Sequence, residues 1–200
     1  MNECAPSRLP AALALFAALL LGGCGAEAGP PPLAGAAMGG AFTLTDQNGR
    51  RVSDRDFAGK YRLIYFGYTF CPDVCPTDLQ KIGAGLRAFE RSDPERAARV
   101  QPIFITVDPA RDTPEVMRAY VANFHPRLTG LTGTEQEVEA VARAFRVSRQ
   151  LPPPSARPRD YLVDHSQMTV LYGPQGEPIA IVPADQGAEA IAAELDRWVR

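Results

Sequence analysis

Two cysteines and one histidine carry most of the chemistry this chain can offer. Cys71 and Cys75 sit in Cys71-Pro72-Asp73-Val74-Cys75-Pro76, a C-x-x-x-C spacing. The segment falls between the apolar run Arg62 to Tyr68, which reads as a central strand, and a stretch where Leu79, Ile82, Leu86 and Phe89 recur at helical spacing. A strand end that feeds a helix start is where sites form in layered α/β domains. The backbone N–H groups of a first helical turn favour negative charge, and so favour thiolate. Thiolate is both the metal-binding and the nucleophilic form of cysteine. Two sulfurs one turn apart can face a single ion. They can also close a disulfide, whose Cα atoms lie roughly 4.4–6.8 Å apart. Residue types and spacing leave both chemistries open. The prolines suit a helix start and stiffen the turn, and Asp73 reads as a solvated or capping acid.

Two thiolates rarely satisfy a metal alone, and the chain holds two histidines. His125 precedes Pro126 at a helix end, where an imidazole interacts well with the terminal carbonyls and needs no further role. His165, in Tyr161-Leu162-Val163-Asp164-His165-Ser166, stands between a proline-rich loop and a strand-like run. Imidazole is the commonest metal ligand, and Asp164 beside it is a candidate to orient the ring.

The other cysteines are explained by the N-terminus. Leu9 to Leu21 is an apolar run interrupted by Pro10. It is shorter than the roughly 20 residues a membrane span needs and has the length of a signal-peptide core. Leu21-Gly22-Gly23-Cys24 resembles a bacterial lipobox. The expectation is a lipoprotein-type signal peptide over 1–23 that removes Cys4, and lipidation of Cys24. A Gly-, Ala- and Pro-rich tether follows over 24–40, and a folded domain over 41–200. An isolated pair in an exported protein is then a redox or metal site rather than a staple. With 21 basic and 23 acidic residues the chain shows no nucleic-acid footprint. At 46% apolar it has enough for a buried core.

The site must be held by the elements around it. Phe42 to Leu44 and Arg51 to Ser53 flank Asn48-Gly49, a hairpin signal. Val100 to Val107 and Leu128 to Leu131 read as strands. Helices are expected from Thr113-Pro114-Glu115 onward, around Val138, Val141 and Phe145, and around Ile191, Leu195 and Trp198. Gln167 to Tyr172 and Pro178 to Val182 flank a turn at Gly173 to Gly176. Residues 150–160, rich in proline, are expected to form a mobile loop that carries His165 to the cysteines. The order predicts an α/β domain with a mixed sheet flanked by helices and an N-terminal hairpin, for which a thioredoxin-like fold fits.

Three motifs in one order then carry a resemblance. Gly67-Tyr-Thr-Phe-Cys-Pro-Asp-Val-Cys-Pro-Thr77, Val107-Asp-Pro-Ala-Arg-Asp-Thr-Pro114 and Val163-Asp-His-Ser166 resemble the signatures of the Sco/SenC family. The resemblance covers nearly all of the expected domain. It implies a thioredoxin-like fold and copper delivery to the dinuclear site of cytochrome c oxidase subunit II. It also implies copper ligation by Cys71, Cys75 and His165, one ion per chain, with a positional role for Asp108, Arg111 and Asp112. Phe70 stands where that family often has a polar residue or histidine. Soft thiolates suit Cu(I), and imidazole suits both copper states. Structural zinc prefers four closed ligands. Met38 and Met168 are soft atoms, but Met168, three residues after His165, faces the other side of a straight strand and reads as packing. The alternative is a thiol–disulfide oxidoreductase acting on an exported partner's cysteines. The C-x-x-x-C spacing and the lack of proline between Tyr161 and Tyr172 weigh against it. The implied partners are subunit II, other copper chaperones or thiol reductants, and a bacterial cell membrane reached through the lipid anchor.

Overall fold

The computed structural model describes residues 29–153 and 160–200. The expected signal peptide, Cys24, the start of the tether and the middle of the proline-rich loop lie outside those residues.

The chain opens with a hairpin of β1 (Thr43–Asp46) and β2 (Arg51–Ser53), paired antiparallel. Its turn is set by Asp46, whose Oδ1 accepts from the N–H of Asn48 at 2.8 Å and of Arg50 at 2.9 Å. Gly49 takes φ +79°, which glycine reaches at little cost. β3 (Tyr61–Gly67), buried along its whole length, runs parallel to β4 (Val100–Thr106). α1 (Val74–Ser92) and the short α2 (Pro94–Ala98) make the crossover between them. α3 (Pro114–Val121) leads to β5 (Thr129–Thr132), parallel to β4 and antiparallel to β1. After α4 (Glu135–Ala144) come β6 (Arg149–Gln150) and β7 (Asp164–His165), a small antiparallel pair of their own. β8 (Thr169–Tyr172) returns antiparallel to β3, β9 (Pro178–Val182) pairs with β8, and α5 (Ala188–Trp198) follows. The main sheet thus reads β2-β1-β5-β4-β3-β8-β9, the mixed sheet the element order predicts.

β3 and α1 matter most for the site. α1 buries Leu79, Leu86 and Phe89 completely against the sheet, each worth about 1.5–3 kcal/mol relative to exposure. That stripe fixes the helix's roll and therefore the direction of Cys75 in its first turn. α5 lies close on α1 at Gly85, where a Cβ would come within 2.7 Å of Ile191. α4 starts on a capping box in which Glu137 N–H donates to Thr134 Oγ1 and Thr134 N–H to Glu137 Oε2.

Two elements were not anticipated. α2 is a single short turn with no periodicity to reveal it, and the β6–β7 ladder joins residues on either side of the proline-rich loop. Residues 33–39, which the expected tether includes, are held against the domain. Leu33 N–H donates to Ile179 O at 3.0 Å, Gly39 N–H to Ala144 O at 2.9 Å, and Leu33 and Met38 pack on the core. Small residues here allow close backbone approach, a use of glycine and alanine that composition does not distinguish from slack. Among the described residues no helix is long and apolar enough to cross a membrane.

Candidate metal centre

The cysteine segment bridges β3 and α1. Cys75 lies in the first turn of α1 with its side chain fully buried, while Cys71 is half-buried; both are free thiols. Cys75 N–H donates to Cys71 Sγ at 3.4 Å. Burial pushes the Cys71 thiol up, but the N–H groups of Cys75, Asp73 and Val74 outweigh it, and its pKa ends below the usual value. That is the helix-start effect expected from the spacing. Burial dominates at Cys75 and pushes it up to about 12. The pair is therefore one thiol ready to ionise and one held protonated.

The histidine reaches the pair from the far side of the chain. His165 Nε2 lies 3.7 Å from Cys75 Sγ. Its Nδ1 is 3.0 Å from the carbonyl of Ser166. A carbonyl only accepts, so the proton belongs on Nδ1, and the Nε2 lone pair faces the sulfur. Burial lowers the imidazole pKa and keeps it neutral, the form that ligates. Tyr68 stands edge-on to the ring, with centroids 5.8 Å apart and planes at 83°. Asp164, expected to orient His165, is exposed and makes no hydrogen bond to the ring among the described residues. In a two-residue strand, neighbouring side chains point oppositely, so the backbone carbonyl of Ser166 takes that part.

β6 holds His165 in place. Arg149 is its register partner, and Arg149 Nε donates to Val107 O at 3.0 Å. Ser148 N–H donates to Ser166 Oγ at 3.0 Å, and Ser166 N–H to Ser148 O at 3.1 Å. The imidazole already stands beside Cys75, so the swing expected of the proline-rich loop is not needed to bring it there.

The loop after β4 braces both halves. Asp112 is fully buried; it accepts from Thr69 N–H at 3.1 Å, Thr69 Oγ1 at 2.6 Å and Thr106 Oγ1 at 2.5 Å. Asp108 accepts from Tyr161 Oη at 2.5 Å and pairs with Arg111. The Arg111 guanidinium stacks 3.6 Å from the Tyr161 ring centre and 4.8 Å from that of Phe70, which is 52% exposed beside Cys71. The family resemblance implied a positional role for Asp108, Arg111 and Asp112; the long-range partners Thr69 and Tyr161 are invisible to pattern reading. A further contact sequence reasoning missed is Tyr65, whose hydroxyl donates to Asp78 at 3.1 Å behind Cys75.

The remaining candidates stand apart. His125 is buried, with Nε2 3.3 Å from Glu90 and Nδ1 accepting from Arg127 N–H. Met168 and Met38 pack on the core. As the side chains stand, no three His, Cys, Asp or Glu groups among the described residues close on one point. The donor set of two sulfurs and one nitrogen is nevertheless assembled at neighbouring positions, with the Cys71 sulfur turned to a backbone N–H.

A profile of the SCO1/SenC family matches residues 31–200. The chain belongs to that family. Protein sco1 of Schizosaccharomyces pombe is 42% identical over 162 residues, which cover 80% of this chain and 60% of that protein. The chain thus spans less than two thirds of that relative's length. The structure of Bradyrhizobium japonicum ScoI with copper bound superposes with a TM-score of 0.72 at 42% identity, covering 81% of this chain and 99% of that one. The thioredoxin domain of a Bacteroides vulgatus thiol–disulfide oxidoreductase matches with a TM-score of 0.56 at 16% identity, covering 84% and 98%. The fold of this Sco-family chain is thioredoxin-like, as the element order predicts.

Proposed function

We propose that the protein binds one copper ion through Cys71, Cys75 and His165 and delivers it to the dinuclear copper site of cytochrome c oxidase subunit II. The observation that carries this reading is the contact of His165 Nε2 with Cys75 Sγ at 3.7 Å, beside a half-exposed Cys71. Support comes from the 42%-identical ScoI solved with copper. Two thiolates and a neutral imidazole leave Cu(I) with one net negative charge and Cu(II) neutral, so either state is accommodated. Loading releases the Cys75 proton, and a disulfide would supply no thiolate. Export and lipidation at Cys24 belong to the same reading and would keep the site at a membrane surface; loss of fatty-acid labelling in Cys24→Ser tests them.

Anaerobic Cu(I) titration against a competing chelator tests the ligand set. Cys71→Ala and Cys75→Ala each lose retention, and His165→Ala chiefly weakens Cu(II). Unchanged stoichiometry and affinity in either cysteine variant would overturn the proposal. A second reading draws on the asymmetry of the thiols: an ionisable, accessible Cys71 and a buried Cys75 form an attacking and a resolving pair. Stoichiometric reduction of a disulfide peptide by the reduced, copper-free protein, which itself ends as the Cys71–Cys75 disulfide, abolished in Cys71→Ser, is its signature.

A further inference from the structure

A cavity of about 670 Å³ lies beside the copper hollow, and the copper reading gives it no role. Asp73, Asp78, Lys81, Thr169 and Asp185 line it, together with Ile181 of β9. It adjoins the hollow of about 290 Å³ lined by Cys71 and His165, and Asp73, Val74 and Gln167 belong to both. Three carboxylates against one ammonium make the cavity acidic.

Two observations independent of charge say what enters. Thr169 is 2% exposed, and its hydroxyl has no hydrogen-bond partner. It is in register with Tyr65, whose hydroxyl reaches Asp78, so its side chain is on the sheet face that looks toward α1 and the cavity. β9 is also the last strand of the sheet. Leu33 N–H donates to Ile179 O, so that carbonyl points outward. Alternation along the strand turns the N–H and C=O of Ile181 to the same outer edge. Among the described residues no backbone group pairs with them there. The Ile181 side chain is 51% exposed.

We infer that this edge and cavity receive an extended segment of the copper-accepting polypeptide, added as a strand beside Ile181, with a basic side chain placed among Asp78, Asp185 and Thr169 Oγ1. The inference rests on the copper-delivery reading and names the chemistry of its partner. Main-chain pairing at an open edge supplies affinity with little demand on sequence. An ammonium has only donors, and the carboxylates and the threonine oxygen can all accept. A second copy of this chain is the poorer occupant, because an isologous pair sets the acidic cavity against itself.

The test uses the reduced, metal-free chain labelled with nitrogen-15 and three probes: a short peptide alternating lysine and valine around one cysteine, its glutamate-for-lysine counterpart, and N-acetyl-lysine amide. The lysine peptide is expected to shift the amide signals of Thr169, Ile181 and Asp185 and to slow exchange at Ile181. The glutamate peptide should do neither, and the free lysine amide should shift the cavity signals without protecting Ile181. Ile181→Pro, which deletes an outward-facing edge donor, should weaken the lysine peptide about tenfold. Asp185→Asn, at an exposed position that leaves folding intact, should weaken it several-fold. Equal binding of the glutamate peptide, or indifference to both variants, overturns the proposal. So does an Ile181 amide already protected in the free chain, which would mean that the chain covers its own edge. Protection that grows with protein concentration assigns the edge to a second copy and also overturns it. Copper is absent throughout, so failure here and failure of the copper titration are separate results.

Discussion

Removing the Asp112 carboxylate isolates the brace that holds the cysteine segment. Asp112→Ala strips partners from Thr69 N–H, Thr69 Oγ1 and Thr106 Oγ1 at once. An unpaired buried donor costs about 1–3 kcal/mol. Thr69 is only half-buried and recovers part of its loss from water, and relief from burying a carboxylate offsets more. The expected net loss is about 2–4 kcal/mol, and Asp112→Asn, which keeps one acceptor, should lose about half of that. Urea unfolding followed through Trp198 reads the change as a fall in midpoint of about 1–2 M at an ordinary slope. A second readout separates bracing from bulk stability. Thr69 is two residues before Cys71, so alkylation of Cys71 in native buffer should quicken in Asp112→Ala and stay near wild type in Asp112→Asn. The pH dependence has a definite sign. Burial raises the Asp112 pKa above the ordinary carboxylate value despite the threonine donors. The folded state then binds the proton more tightly than the unfolded state, and this contribution to stability falls as pH rises through the carboxylate range. The stability of wild type relative to Asp112→Asn should shrink between about pH 3.5 and the raised value. A loss under about 1 kcal/mol in Asp112→Ala, with unchanged Cys71 reactivity, would refute the reasoning.

The remaining expectations concern packing and reactivity. A Cβ at Gly67 would meet Phe104 at 2.9 Å and Cys75 Sγ at 3.0 Å; Gly67→Ala should cost about 1–3 kcal/mol in urea unfolding and loosen Cu(I) retention against a chelator. Gly85→Val, pressed on Ile191, should cost about 2–3 kcal/mol yet leave copper retention unchanged. Iodoacetamide at neutral pH should modify Cys71 well before Cys75 by mass spectrometry of peptides, following the opposite pKa directions and the difference in exposure. Thr169→Val replaces an orphaned buried hydroxyl by a methyl group of similar size and should raise stability by about 1 kcal/mol.

Elements with a period were legible before the structure. The α1 stripe, the buried run of β3, the hairpin at Asn48-Gly49 and the β8–β9 turn all follow from local patterning, because each is decided by burial of one face or by one turn residue. What escaped was decided by pairing between distant positions. β7 is two residues long, too short for alternation to register, and its existence depends on Ser148 and Arg149 across the proline-rich loop. Asp164 looked like the ring's support because it adjoins His165 in sequence, yet adjacency in a strand separates side chains. The N-terminal residues 30–40 looked slack because small residues dominate there, whereas backbone groups at Leu33 and Gly39 and the side chains of Leu33 and Met38 make their contacts.

The segment from Val107 to Pro114 explains how two halves of a site 90 residues apart keep their spacing. Asp112 grips Thr69, two residues before Cys71, and Asp108 grips Tyr161, four residues before His165. Val107 O takes Arg149, the register partner of His165. One loop therefore holds the cysteine segment with one carboxylate and the histidine segment with another, one helical turn apart. Arg111 lies between them, paired with Asp108 and stacked on Tyr161 and Phe70. Burying two carboxylates this deeply is costly, as the upward push on Asp112 records. The cost is offset because Asp112 satisfies donors of Thr69 and Thr106, and Asp108 those of Tyr161 and Arg111. Neither touches the sulfurs or the imidazole nitrogen that faces them. Their contribution is to the distance between sulfur and nitrogen, on which the proposed copper loading and the alternative thiol chemistry at Cys75 would both depend.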